Sequence, residues 1–183
     1  VAKYWHPTKN GDLTPSDVTG GSDKKVWWKC PVGDDHEWES GIGNKVKHDC
    51  PFCSGYQVSV TNSLSSLFPE IASQWHPTKN GNLTPHDVTG GANKRVWWKC
   101  DKGPDHEWQA PIPGRTSHGK QCPACMSQQV SVTNSLATLF PYIASQWHPT
   151  KNAPLTPADV HKGSHIKIWW KCPEGPDHEW KVS

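Results

Sequence analysis

Seven cysteines are spread along the chain, and six of them fall into two sets whose spacing suits a metal ion. Cys30 is followed six positions later by His36 and then by the pair Cys50 and Cys53. Cys100, His106, Cys122 and Cys125 repeat that order. Three thiols per set cannot all pair as disulfides, and the same histidine accompanies each set, so the pattern points to Zn²⁺. A Cys-Pro-x-Cys turn brings two sulfurs to one ion, and Cys30 with His36 would supply the other two ligands from the turn of a hairpin. Four protein ligands leave no position for water, so such a site is structural and the chain is expected not to be an enzyme. Neither a nucleophile elbow nor a phosphate-binding loop is visible in the sequence. The seventh cysteine, Cys172, is again followed six positions later by His178. These two read as half a site, whose Cys-x-x-Cys pair is expected further along the parent protein.

The elements that must position these ligands recur. Trp5-His6-Pro7-Thr8-Lys9-Asn10 returns at 75–80 and 147–152, and Val26-Trp27-Trp28-Lys29-Cys30 returns at 96–100 and, with Ile168 in the first place, at 168–172. The period is 70 residues and then 72, with the two extra residues between His106 and Cys122. Each copy keeps four tryptophans, which accounts for all 12. The repeats are bounded as 1–56, 57–127 and 128–183, the first without a helical lead-in and the third ending before its Cys-x-x-Cys.

Composition agrees with small units that need an external staple. Only 33% of residues are hydrophobic, with one Met and three Phe against 17 Pro and 15 Gly. Domains with so little apolar mass rarely fold on a core alone. Zinc binding contributes on the order of 10 kcal/mol to folding such a module. The tryptophans are read first as core plates, with base stacking the lesser alternative.

Local signals give an α+β module. Thr14-Pro15-Ser16-Asp17 predicts a short helical turn, repeated at Thr84 and Thr156. Residues 24–29 and 37–40 predict a hairpin. The alternation over 57–60 and 129–132 predicts a half-buried strand. Residues 62–73 carry Leu64, Leu67, Phe68 and Ile71 at helical spacing, broken or restarted at Pro69, and 134–145 repeat this around Pro141. These lead-ins are expected to couple neighbouring modules. His6, His76 and His148 precede prolines in turns and read as surface or packing residues, and His48 and His118 as solvated. His86, His161 and His165 each lack a histidine counterpart in at least one other copy.

The strings Leu13-Thr14-Pro15, Asp17-Val18, Trp27-Trp28-Lys29-Cys30-Pro31, His36-Glu37-Trp38 and Cys50-Pro51-x-Cys53-Ser54-Gly55 resemble the probable zinc-ribbon domain family. The lead-in Ser63-Leu64, Phe68-Pro69-Glu70-Ile71-Ala72 and Trp75 is similar to that family as well. The resemblance implies short zinc-ribbon, treble-clef-like modules in tandem. It departs in the knuckle, where Gly33-Asp34-Asp35-His36 is two residues longer than the family's Gly-His-Glu-Trp, and at Lys45, which stands where the family's arginine survives as Arg115 in the second copy. Some family members accompany nuclease-like domains, but no nuclease motif is present here.

Two functions follow. The preferred one is a structural adaptor that binds other proteins within a larger assembly. The net charge is only +2, with seven basic against eight acidic residues in 1–53, seven against five in 54–125 and five against four in 126–183. The alternative is nucleic-acid binding, with Lys24, Lys25, Lys29 and Lys45, and Lys94, Arg95, Lys99 and Arg115, forming a basic edge beside tryptophans. Neither a small-molecule substrate nor a membrane span is expected, since no apolar run approaches the ~20 residues required. Metal-bound thiols place the chain in an intracellular or organellar interior, not outside the cell.

Overall fold

The computed structural model describes residues 2–183, with the side chains of 46 and 47 left aside. The first repeat opens with a single 3₁₀ turn at Ala2–Tyr4 and a second at Pro15–Asp17. Strands β1 (Lys25–Lys29) and β2 (Glu37–Gly41) form an antiparallel hairpin, and helix α1 (Ile42–Lys47) follows directly. The lead-in to the second repeat is two one-turn helices, α2 (Leu64–Leu67) and α3 (Pro69–Ala72). The second repeat has β3 (Arg95–Lys99), β4 (Glu107–Pro111) and α4 (Ile112–Thr116). A second lead-in, α5 (Leu136–Leu139) and α6 (Pro141–Ala144), precedes β5 (Ile168–Lys171) and β6 (Glu179–Val182). Each sheet is one two-stranded hairpin. Two such strands are marginal alone, which is why the metal ligands at the hairpin ends matter.

The chain divides into two compact units. One holds residues up to 96 together with Pro111–His118, and the other holds Trp97–Ala110 with Gly119–Ser183. In the first unit, strand alternation puts Val26, Trp28 and Trp38 inside and Trp27 and Lys29 outside. Trp28 faces Trp38 across the ladder and meets Trp5 edge-on at 5.5 Å. The Trp28 indole donates to the Ser40 carbonyl at 3.2 Å, so its one polar atom is satisfied while the ring is fully buried. Cys30, Cys50, Ile42 and Phe52 close this small core around the ligands. In the second unit, Trp147 and Trp170 repeat the edge-on pair at 5.7 Å.

The helix expected over 62–73 is indeed split at Pro69, because a proline cannot supply the amide that would continue the turn. Ser63 caps α2 by accepting from the Ser66 amide. The Thr-Pro-x-Asp turns recur, with the amide and hydroxyl of Thr14, Thr84 and Thr156 all donating to the aspartate three residues on. Only the first is a helical turn; the others are plain turns. No strand forms over 57–60 or 129–132. The alternation there has another cause, which the metal centre supplies. Among the described residues no helix is long and apolar enough to cross a membrane.

Candidate metal centre

Two ligand groups converge in the structure. Cys30, His36, Cys50 and Cys53 offer atoms within 4.8 Å of one another, and so do Cys100, His106, Cys122 and Cys125. In the first group Cys30 Sγ lies 3.7 Å from Cys53 Sγ, and His36 Nδ1 lies 3.7 Å from Cys50 Sγ and 3.5 Å from Cys53 Sγ. The second group gives the same three distances, 3.7, 3.7 and 3.5 Å. A tetrahedron built with Zn–S near 2.3 Å and Zn–N near 2.05 Å has sulfur–sulfur edges of about 3.8 Å and sulfur–nitrogen edges of about 3.6 Å. The tetrads therefore have the size of a zinc site. The sulfurs are too far apart for a disulfide, whose bond is about 2.05 Å, and all seven cysteines are free thiols.

The electrostatics point the same way. Burial, followed by hydrogen bonds and like charge shared with Cys30 and Cys50, pushes the Cys53 thiol up to about 12. Cys125 is pushed up to about 12 by burial and by Cys100 and Cys122. Cys53 is exposed as a residue, yet its sulfur sits among these partners. A bound divalent cation would offset this and let the sulfur ligate as a thiolate.

Backbone geometry explains the Cys-x₅-His spacing. The Cys30 amide donates to the His36 carbonyl at 2.9 Å, closing the hairpin end so that sulfur and imidazole face one point. The same bond joins Cys100 to His106 and Cys172 to His178. Gly33 makes room for the ring: a Cβ there would lie 2.7 Å from His36 Cδ2, and one at Gly103 would lie 2.5 Å from His106 Cδ2. After the second cysteine pair the chain turns through Gly55 at φ +77°, and in the second copy Ser127 takes this left-handed place at φ +53°.

The far side of the histidine is held by residues that spacing arguments overlooked. His36 Nε2 lies 3.0 Å from Ser59 Oγ and 2.8 Å from Thr61 Oγ1, and His106 Nε2 lies 3.1 Å from Ser131 Oγ and 2.7 Å from Thr133 Oγ1. If Nδ1 ligates a metal, Nε2 would carry the proton and donate to this hydroxyl pair, which would fix both tautomer and ring direction. Asp35 braces the loop by accepting from the Val60 amide at 2.8 Å, as Asp105 does from Val132. Asn62 closes it, its amide group donating to the Phe52 and Gln57 carbonyls. The polar–apolar alternation over 57–60 thus belongs to a turn that aims hydroxyls at the imidazole. The clue was present in the sequence: 57–64 and 129–136 are identical, including both hydroxyl residues. Phe52 also stacks on the His36 ring at 5.0 Å, whereas Ala124 stands in its place in the second copy.

The third copy differs. Cys172 is half-buried and His178 exposed, and the described residues bring no four-ligand group together there. The other histidines stand apart from the tetrads. His6 is buried, and its Nδ1 accepts from the amides of Thr8 and Lys9 while Nε2 faces Glu37 at 3.2 Å. His148 repeats this with Thr150, Lys151 and Glu179. These are packing residues that organise the Trp-His-Pro turn. His48 and His118 are exposed.

Among curated proteins none matches the chain. Residues 1–56, 71–128 and 143–183 match the family model described as Probable Treble clef zinc finger domain, and both tetrads lie inside matched segments. Because the matches cover most of the chain, the protein belongs to the probable treble clef zinc finger domain family.

Proposed function

We propose that the protein is a non-catalytic adaptor: a tandem array in which each complete repeat holds one Zn²⁺, and whose surfaces bind other proteins within a larger assembly. Reduced, metal-bound thiols suit an intracellular compartment. The observation that carries this reading is the fate of the basic side chains. A nucleic-acid footprint needs cations free to meet phosphates. Lys29 is instead paired with Glu37 at 2.9 Å, and Lys99 with Glu107 at 3.3 Å. Lys45 is buried with its ammonium over the Tyr4 ring at 4.2 Å, and Arg115 is buried and bonded to Gln74 at 2.8 Å. Lys9 covers Trp27 at 4.5 Å, which takes that ring away from base stacking. Half of the eight candidate cations are thus engaged within the protein.

Apolar surface, by contrast, is displayed. Tyr56, Leu67, Leu139 and Tyr142 are exposed on the segments that lead from one repeat to the next. A single small module offers less than the ~1,000 Å² of a stable interface, so partners that touch two repeats gain from the second, intramolecular contact. Nucleic-acid binding keeps support from Lys24, Lys25, Lys94 and Arg95, which are all exposed. A salt titration with mixed RNA and DNA, run beside cross-linking of the native assembly, separates the two. The adaptor reading expects protein cross-links from more than one repeat and weak nucleic-acid binding. Tight binding that falls steeply with salt, with no protein cross-linked, would overturn it.

A further inference from the structure

The edge of His36 turned away from the sulfurs leads, within a few residues, into the second repeat. His36 Nε2 lies 3.0 Å from Ser59 Oγ and 2.8 Å from Thr61 Oγ1. The Ser59 carbonyl accepts from the Ser63 amide at 3.0 Å, and the Ser66 hydroxyl donates to the Val60 carbonyl at 2.6 Å. The hydroxyl turn and α2 are thus one hydrogen-bonded piece. Its other end is docked. Ser63 bridges Thr89, the Leu64 amide donates to the Val88 carbonyl at 2.7 Å, and the Ser65 amide donates to the Pro85 carbonyl at 3.2 Å. Leu64 is fully buried, and the Phe68 ring lies so close to Gly90 that a Cβ there would sit 2.4 Å from it.

The same relay recurs between the second and third repeats. His106 Nε2 meets Ser131 and Thr133, and the Ser131 carbonyl accepts from the Ser135 amide at 3.0 Å. Ser135 bridges His161, the Leu136 amide donates to the Val160 carbonyl at 2.7 Å, and the Ala137 amide donates to the Pro157 carbonyl at 3.0 Å. Ser59, Ser63, Ser131 and Ser135 are all buried. Each relay lies wholly within one of the two compact units. The three residues from Thr61 to Leu64 span at most about 11 Å. So short a piece, held at both ends, transmits a displacement at one end to the other. A bound metal would fix the imidazole against the sulfurs. Without it, the contacts of 3.5 and 3.7 Å from His36 Nδ1 to Cys53 and Cys50 are ordinary thiol contacts, which are weak.

We propose that metal occupancy of one repeat is coupled to docking of the lead-in on the next, so that emptying the first site releases Leu64 and Ser65 from the second repeat while the second site stays loaded. Coupling of this kind is reciprocal: whatever factor the metal adds to docking, docking adds to metal affinity. The second repeat keeps its own buried set, Val96, Trp98, Trp108 and Ile112, when the lead-in leaves. Connection between repeats is then conditional on zinc and is broken one joint at a time. This coupling rests on each complete repeat holding one Zn²⁺, whatever the repeat surfaces bind.

The test compares the zinc-loaded 183-residue chain with a variant carrying Cys50→Ser and Cys53→Ser, using native mass spectrometry to count metal and NMR to follow amide hydrogen exchange. The variant should carry one ion fewer. Its Leu64 and Ser65 amides should exchange at least about fivefold faster, while the Cys100 amide, which donates to the His106 carbonyl, keeps its protection. The reverse arm is Leu64→Ala, which leaves every ligand and the hydroxyl pair in place. Zinc affinity at the first site, followed at the His36 ring signals during competition with a chelator, should fall by a similar factor. Unchanged exchange at Leu64 and Ser65 with the first site empty, or unchanged first-site affinity in Leu64→Ala, would overturn the proposal. So would loss of Cys100 protection together with that of Leu64, which would mean that both repeats collapse as one body. A native chain that carries no zinc would sink the zinc reading and this coupling with it; two bound ions with uncoupled exchange would leave the zinc reading standing.

Discussion

Thr61 Oγ1 lies 2.8 Å from His36 Nε2, on the opposite edge of the ring from the Nδ1 that faces Cys50 and Cys53. One residue beyond Asn62, Ser63 and Leu64 are already anchored on the second repeat. The segment that orients a ligand in one repeat is therefore continuous with the segment that docks on the next. Thr61→Val should weaken zinc binding at the first site by about 10-fold or more, the usual cost of losing an outer-shell partner. Thr61→Ser should restore it. Competition with a chromophoric chelator reads the affinity, and unchanged affinity in Thr61→Val would show that Ser59 alone suffices.

Chelation should collapse the first two repeats. Their cores are small, and the metal contributes on the order of 10 kcal/mol per site. Elemental analysis is expected to return two zinc ions for this chain, and addition of a strong chelator should abolish the near-ultraviolet tryptophan signal of the buried Trp28 and Trp98. A full signal after complete metal removal would show that the tryptophan core stands alone.

Gly33→Ala and Gly175→Ala form a paired test of crowding. The added Cβ would meet the His36 ring at 2.7 Å, and at Gly175 it would meet the His178 ring at 2.9 Å. His36 is 1% exposed and fixed between sulfurs and hydroxyls, whereas His178 is exposed and can move aside. The first substitution should lower the thermal midpoint and weaken zinc binding, and the second should do neither.

Ser127→Gly should stabilise the second site. Ser127 holds φ +53° where the first repeat has glycine at +77°. A left-handed residue with a Cβ costs about 1 kcal/mol relative to glycine, less the extra freedom glycine has when unfolded. Denaturant unfolding should show a gain of a few tenths to about 1 kcal/mol.

In the third repeat Lys151 first, then His148 and Lys171, hold the Glu179 carboxyl down to about 2, against an ordinary value of 4.5. A depressed carboxyl stabilises the fold above its unfolded value and loses that contribution as pH falls from about 4.5 through about 2. Glu179 should therefore titrate near 2 by NMR. Lys151→Met should move the midpoint upward, and no movement would mean the ion pair is absent in solution.

The sequence by itself determined the ligands' order, the repeat, the hairpins and the break at Pro69. Each of these is a local property: spacing along one turn, alternation along one strand, or a missing amide. It also carried the Ser-Val-Thr-Asn string twice, but alternation alone pointed to a strand, because a period of two is the same whether hydroxyls face solvent or a distant imidazole. Only the tertiary structure decided that Ser59 and Thr61 serve His36, 23 and 25 positions away. It alone decided that Lys29 pairs with Glu37 at the surface and that Lys45 is buried over the Tyr4 ring. Those outcomes depend on which groups the folded chain brings within hydrogen-bonding reach, and contacts between segments far apart in sequence leave no periodic mark along it.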